Sequence, residues 1–263
     1  MGLQPPVRTA TGDGVATVTL DSPANRNALS TSLIGQLLDA FARAAADPAV
    51  RVVLLDHTGP AFCSGADLAE TARARDAGTL PIARLGELLA AIWEHPKPVV
   101  ARIAGPARAG GLGLIAAADI AVCDRTATFA FSEVRIGVIP AVISAVVLRR
   151  LDPRAAAELY LTGDTFTGDR AAQVGLVTAA VDAGELDPTV RRYLDAVLRG
   201  GPDALAGVKR LLRRVPEKEL SAELAALSEL SITYFGSAEA AEGMLAFREK
   251  RAPSWVARRA YPE

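Results

Sequence analysis

Cysteine, histidine and aromatic residues are scarce in this sequence, and the scarcity removes whole classes of chemistry. The two cysteines, Cys63 and Cys123, form no CxxC pair, and the two histidines, His57 and His95, lie in different segments. No group of His, Cys and carboxylate residues has the spacing of metal ligands, so no resident metal is expected. Charge of one sign is also lacking: 29 basic against 30 acidic residues leave a formal charge of -1. There is no overall basic field to hold nucleic acid or an anionic membrane surface. The longest apolar stretches break at a charge or a glycine well before the roughly 20 residues of a bilayer-spanning helix, so no membrane span is expected. The start, "MGLQPPVRTATGDG", lacks the apolar run of a signal peptide. With so little cysteine, that points to a reducing, cytoplasmic location. Neither a GxSxG elbow nor a GxxxxGK[ST] phosphate loop occurs; the nearest approach, Gly105 to Gly110, continues into Gly111 and Leu112. Ordinary hydrolase and P-loop readings fall away.

What is present is enough apolar sequence, 50% of 263 residues, to bury one sizeable core. Short β-branched runs recur from Val15, Val50, Pro98, Asp119, Thr128 and Gly175, and each reads as a buried strand. Between them lie helical patterns. Leu33, Ile34, Leu37, Leu38, Phe41 and Ala45 follow the N-cap candidates Ser30 and Thr31 at helical spacing. Alternation of strand and helix predicts an α/β fold. After about Val181 the strand signals stop, and helical patterns fill the C-terminal third. With no repeat or long polar linker, that third is expected to pack on the core or on a neighbouring subunit.

Two segments concentrate glycine after a strand and before a helix: "GPAFCSGADL", residues 59–68, and "IAGPARAGGLGLIAAADIAV", residues 103–122. Turns of this kind either merely reverse the chain or present backbone N–H groups, at the positive end of a helix, to a developing oxyanion. Gly111, Gly113 and Ala116 also spell GxGxxA, with Glu133 twenty positions beyond Gly113. That imitates a dinucleotide fingerprint, yet the loop "GPARAG" intervenes after the strand and the following helix is only about two turns long. The dinucleotide reading is therefore the weaker one.

These segments resemble the two signatures of the enoyl-CoA hydratase/isomerase, or crotonase, superfamily, and the resemblance runs over nearly the whole chain. "LDSPANRNALS" is similar to the family's first CoA-contacting loop, "AFCSGADL" to its first oxyanion loop and "ARAGGLGLIAAADI" to its second. "FSEVRIGVIPAVIS" resembles the catalytic-glutamate segment, "LTGDTFTGDRAAQVGLV" the stretch after it, and "EGMLAFREKR" the C-terminal tail. The resemblance implies an α/β crotonase-like spiral of ββα units over residues 1–181, and a helical oligomerisation region over residues 182–263. It implies oxyanion donors at the amides of Ala66 and Gly110. Arg26, Ala28, Ser64, Asp67, Leu68 and Gly113 would line the substrate path. Phe247 and Lys250 would meet CoA bound at a neighbouring subunit of a homotrimer or dimer of trimers. Coenzyme A enters as part of the acyl-CoA substrate, so no separate cofactor is expected.

The sequence also departs from the pattern. Typical hydratases of the family carry two glutamates, and here only the second, Glu133, is kept; Gly113 stands at the first. Glu133 is then the single general acid/base, with Phe131, Ile136 and Val138 as apolar neighbours that would raise its pKa, and Arg135 opposing them if it points inward. The expected activity is an enoyl-CoA hydratase-type lyase reaction of fatty acid metabolism. The alternatives are a 3-enoyl-CoA to 2-enoyl-CoA isomerase, an aromatic enoyl-CoA hydratase-lyase, and a non-catalytic acyl-CoA-binding homologue. Cys63 reads as a packed thiol, His57 and His95 as structural residues, and "KRLLRRV" from Lys209 as a solvated face or subunit contact rather than an RNA site. Pocket walls are expected from "AETARARDAGTLPIARL".

Overall fold

The structure is a computed structural model and describes residues 5–74, 81–216 and 219–256; part of the expected pocket-wall loop, residues 75–80, lies outside them. The chain divides into two compact units, one ending at Leu194 and the next starting at Asp195.

The first unit opens with a hairpin, β1 (Val7–Gly12) and β2 (Val15–Leu20), paired antiparallel. Its two-residue turn, Asp13 and Gly14, takes positive φ at both positions, as a tight primed turn requires. Helix α1 (Thr31–Ala46) then carries the chain to β3 (Val52–His57). The Ser30 hydroxyl accepts the Leu33 N–H at 3.1 Å, so the expected N-cap is in place. Next come α2 (Leu68–Ala74), α3 (Leu85–Trp93), β4 (Val99–Ile103), β5 (Ala107–Arg108), α4 (Gly110–Ala117) and β6 (Ile120–Asp124). The unit continues through β7 (Thr128–Ala130), α5 (Ala141–Val147), α6 (Pro153–Thr162), β8 (Phe166–Thr167), α7 (Gly168–Gln173) and β9 (Ala179–Val181).

The main sheet has the order β1-β2-β3-β4-β6-β9, parallel throughout except at the hairpin. Its middle strands are buried almost continuously, as parallel strands covered on both faces must be. A second, narrower ladder runs alongside it. Leu29 bridges Ala66 and Cys63 bridges Ala107, both parallel; β5 then pairs with β7, and β7 with β8. Successive passes of the chain therefore give a strand to the sheet, a short extended piece to the ladder and a helix. This is the ββα spiral expected.

Helix α8 (Ala183–Leu198) ends the first unit and enters the second, which holds α9 (Pro202–Arg213), α10 (Leu220–Phe235) and α11 (Ala238–Glu249). The Glu239 carboxylate accepts the first amides of α9, from Asp203 at 2.9 Å and Ala204 at 2.8 Å. The basic run that begins in α9, expected as a solvated face or subunit contact, is exposed in part, at Arg210, Leu211, Leu212 and Val215. Lys209 is buried, Arg210 donates to the Tyr234 hydroxyl at 2.6 Å, and Arg214 pairs with Glu223. No described helix is long and apolar enough to cross a membrane.

One side chain ties the loop before α1 to the sheet. Asn27, fully buried and at positive φ, donates to the carbonyls of Thr58 (3.0 Å) and Ala61 (2.9 Å) and accepts the Ser22 N–H (2.8 Å). Asn27→Ala leaves these backbone groups without their partner, and a loss of about 2–4 kcal/mol in unfolding free energy is expected from urea denaturation.

Candidate active site

The narrow ladder presses the two glycine-rich turns together. Beyond the Cys63–Ala107 bridge, Arg108 donates its N–H to the Cys63 carbonyl at 2.9 Å, and Leu29 donates to Gly65 at 2.7 Å. Gly65 sits at φ 89°, and a Cβ built on it would lie 2.9 Å from the Ala109 Cβ and 3.2 Å from the Arg108 carbonyl oxygen. Only glycine satisfies both the conformation and the approach. Ala109, preceding α4, holds φ 49° and ψ -119°, a conformation costing an alanine about 1–3 kcal/mol. The strained residue turns the chain from ladder into helix, so the Gly110 amide opens the first turn of α4, where no intrahelical acceptor exists. The Ala66 amide likewise has no hydrogen-bond partner among the described residues. Between them the two turns offer two N–H groups in neighbouring backbone segments.

Most of the expected substrate-path residues gather around the first turn. The exposed Arg26 accepts the Ser64 N–H on its carbonyl at 3.0 Å, the Ser64 hydroxyl donates to the Asn25 carbonyl at 3.3 Å, and Ala28 is buried beside them. Asp67 caps α2: its carboxylate accepts the Glu70 N–H at 2.9 Å. Leu68 is 63% exposed. Phe247, 87% exposed, and Lys250, the left-handed C-cap of α11, belong to the second unit.

The ladder also brings Glu133 into this neighbourhood. Ala109 donates its N–H to the Ala130 carbonyl at 3.2 Å, and the chain reaches Glu133 three residues later, in a 3-10 turn over Ser132–Ile136. The Oε2 atom of Glu133 is buried and has no hydrogen-bond partner. Burial holds the carboxyl above the usual carboxylate range, with a bond from its own backbone amide opposing in part. The apolar surroundings differ from those read in the sequence. Ile136 is 63% exposed and Val138 is exposed too, whereas Phe131 is fully buried and packs on Tyr160, ring centroids 4.4 Å apart. Arg135 turns to Asp164 at 2.5 Å, among exposed side chains, so it does not oppose the shift from within the site. Tyr160 and its neighbour Ser144 carried no signal in the sequence, because nothing marks two hydroxyls sixteen positions apart as neighbours.

The remaining polar candidates are structural. The Cys63 thiol is buried and pushed up to about 12, which removes thiolate chemistry near neutral pH. His57 Nε2 accepts the Ala104 N–H at 3.0 Å, and burial lowers its pKa. His95 is buried with its ring nitrogens 2.9 Å from the Lys97 carbonyl and 3.2 Å from that of Phe41.

Gly113, expected at the place of the family's first glutamate, has no room for a side chain. A Cβ there would lie 2.6 Å from Ile143 Cγ2, 3.1 Å from Ile143 Cβ and 3.3 Å from Leu89 Cδ2, so side chains of α5 and α3 already occupy the space. Gly111 is equally closed, 2.9 Å from both the Cys63 Cβ and carbonyl oxygen. The GxGxxA glycines thus lie inside a wholly buried helix, and the dinucleotide reading fails for lack of room at the backbone. Gly113→Ala is expected to cost about 1–3 kcal/mol in denaturant melts through overpacking. Ile143→Ala should recover part of that loss in the double variant, because the two sites share one volume.

Comparison with known proteins agrees with this architecture. The family model for enoyl-CoA hydratase/isomerase matches residues 10–258. The chain is 34% identical to enoyl-CoA hydratase EchA19 of Mycobacterium tuberculosis, over 90% of this chain and 91% of that protein. It is 32% identical to carnitinyl-CoA dehydratase of Proteus mirabilis, over 94% of this chain and 97% of the relative. The solved structure of an enoyl-CoA hydratase from Mycobacterium smegmatis superposes with a TM-score of 0.87 at 33% identity, covering 96% of this chain and 99% of that one. The chain has the crotonase fold and belongs to the enoyl-CoA hydratase/isomerase family.

Proposed function

We propose that this protein is an enoyl-CoA hydratase-type enzyme in which Glu133 is the single general acid/base and the amides of Ala66 and Gly110 form the oxyanion hole. The observation that carries the reading is the Glu133 carboxyl, partly buried, unpartnered at Oε2 and held towards its neutral form by desolvation, on the ladder next to two turns with free N–H groups. A structural carboxylate gains nothing from such a position, whereas a proton-transfer group needs a pKa close to the working pH.

In this scheme the thioester oxygen accepts both N–H groups, and as charge builds on it each donor contributes on the order of 3 kcal/mol. Glu133 takes a proton from water as its oxygen bonds to C3. The C2–C3 π pair moves into the enolate, and the same carboxyl returns a proton to C2. The reverse sequence is a dehydration, the reaction named for the Proteus relative. Arg26, Ala28, Ser64, Asp67 and Leu68 would line the CoA path; Gly113, also expected on it, has the space beside it filled by Ile143 and Leu89. Phe247 and Lys250 would complete a neighbouring subunit's site in a trimer or dimer of trimers. Coenzyme A belongs to the substrate, and no further cofactor is required. The closed space at Gly113 favours one second reading, isomerisation, because a single base can take a proton from C2 of a 3-enoyl ester and return it at C4.

Crotonyl-CoA and a 3-enoyl-CoA, followed by thioester absorbance and product mass, separate the two. Loss of conjugation with gain of one water supports hydration; gain of conjugation at constant mass supports isomerisation; turnover of neither removes the catalytic reading. Glu133→Gln should bind the ester but lose at least about 100-fold in kcat, and unchanged turnover would take Glu133 out of the mechanism. Stability carries a second signature. A carboxyl raised on folding retains its proton in the folded state over a pH range where the unfolded chain has lost it, so stability falls as pH rises through that range. Glu133→Gln should therefore unfold no earlier than the parent at pH 7, and its advantage should vanish below the ordinary carboxylate range.

A further inference from the structure

The first glycine-rich turn leaves the sheet after His57, the last residue of β3, and the second leaves it after Ile103, the last residue of the neighbouring β4. His57 joins the two exits. Its Nε2 accepts the Ala104 N–H at 3.0 Å, and one residue on, a Cβ built on Gly105 would lie 2.3 Å from the Pro60 carbonyl oxygen, so the turns start in backbone contact. The ladder follows at once: Phe62 donates its N–H to the Pro106 carbonyl at 3.0 Å, and Arg108, two residues before Gly110, donates to that of Cys63 at 2.9 Å.

A backbone N–H can only donate, so Nε2 keeps its lone pair and the neutral ring carries its proton on Nδ1. Nδ1 is buried and has no hydrogen-bond partner. The Thr58 and Ala61 carbonyls, which would favour a proton on the ring, already accept the Asn27 side chain. Phe62 packs edge-on against the imidazole, with centroids 5.5 Å apart. The charges around it offset one another. Asp56 favours the imidazolium and Arg102 disfavours it; the two are paired at 3.3 Å, and Arg102 also holds Asp187 at 2.6 Å. Beyond the end of β2, Asp21 is engaged by Arg8 and by the Thr58 hydroxyl. Burial decides the balance and holds the imidazole below its usual range. A second proton on the ring would have to sit on Nε2, where it would meet the Ala104 N–H donor to donor.

We propose that His57 is a positioning residue: its neutral ring fixes the start of the second glycine-rich turn against the first, and protonation at Nε2 frees that turn and displaces the Gly110 amide. The effect on catalysis rests on the reading of Ala66 and Gly110 as the oxyanion hole; the coupling of His57 to Gly110 does not.

Glutamine can offer an acceptor oxygen where Nε2 stands and does not titrate, whereas leucine fills the space without an acceptor. At pH 7 the kcat of His57→Leu on whichever ester the parent converts should fall at least about 10-fold with KM little changed, while His57→Gln stays within about 3-fold of the parent. As pH falls below the usual imidazole range the parent should lose kcat relative to His57→Gln, because only the parent gains the proton. A leucine variant with parent-like kcat, or a glutamine variant as slow as the leucine one, would overturn the proposal. Amide NMR reads the coupling without turnover: at pH 7 the Ala104 amide should exchange faster and the Gly110 resonance should move in His57→Leu, with both close to the parent in His57→Gln. That pattern supports the positioning role even if both esters prove inert, in which case the catalytic reading alone fails; an unmoved Gly110 resonance ends the proposal. If the leucine variant does not fold, the parent decides: its Gly110 resonance should follow the titration of the His57 ring and stay fixed in His57→Gln, and a resonance that ignores the titration rejects the coupling.

Discussion

The contact of Gly65 with Ala109 is the constraint on which the site depends. Two turns from different passes of the spiral meet where one residue has no side chain and the other only a methyl, 2.9 Å from where a Cβ on the first would be. That approach sets the distance between the Ala66 and Gly110 amides. It also forces Ala109 into its left-handed φ, and the conformational cost is borne by the ladder bonds on either side, Arg108 to Cys63 and Ala109 to Ala130. Backbone donors positioned in this way need no reorganisation when charge appears on a substrate oxygen, which is where their advantage over water lies.

The same ladder delivers the carboxylate. Because β7 pairs with β5, the segment after β7 emerges beside the start of α4, and Glu133 arrives there partly buried. A desolvated carboxyl at the surface of the core is a cost to folding at neutral pH. The hydrophobic cluster beneath it, from Phe131 and Phe166 to Leu112 and Ile143, supplies a core large enough to carry that cost.

Much of this was legible in the sequence because it rests on local rules. β-branched runs marked the main sheet, Ser30 marked the start of α1, and paired glycine-rich turns marked the ladder-to-helix junctions. What stayed hidden rests on distance. β5 and β8 are two residues each, too short for any periodicity. No local pattern marks Asn27, whose three hydrogen bonds reach Thr58, Ala61 and Ser22. β1 was overlooked because "VRTATG" buries only Val7, and an exposed edge strand has no apolar pattern to read. The surroundings of Glu133 were misjudged for the same reason: sequence neighbours Ile136 and Val138 face solvent, and the neighbours that count come from α5 and α6.

Gly113 joins these levels. As volume, it is half of a fitted pair whose other half is Ile143. A side chain cannot be added on α4 without withdrawing one from α5, and the residue after Ile143 is Ser144, which reaches Tyr160. Packing on one face of α5 and hydrogen bonding on the next are thus coupled through a single turn of helix. A carboxylate introduced at position 113 would push against α5, the helix that carries Ser144. Adding any side chain at position 113 therefore requires α4 and α5 to change together.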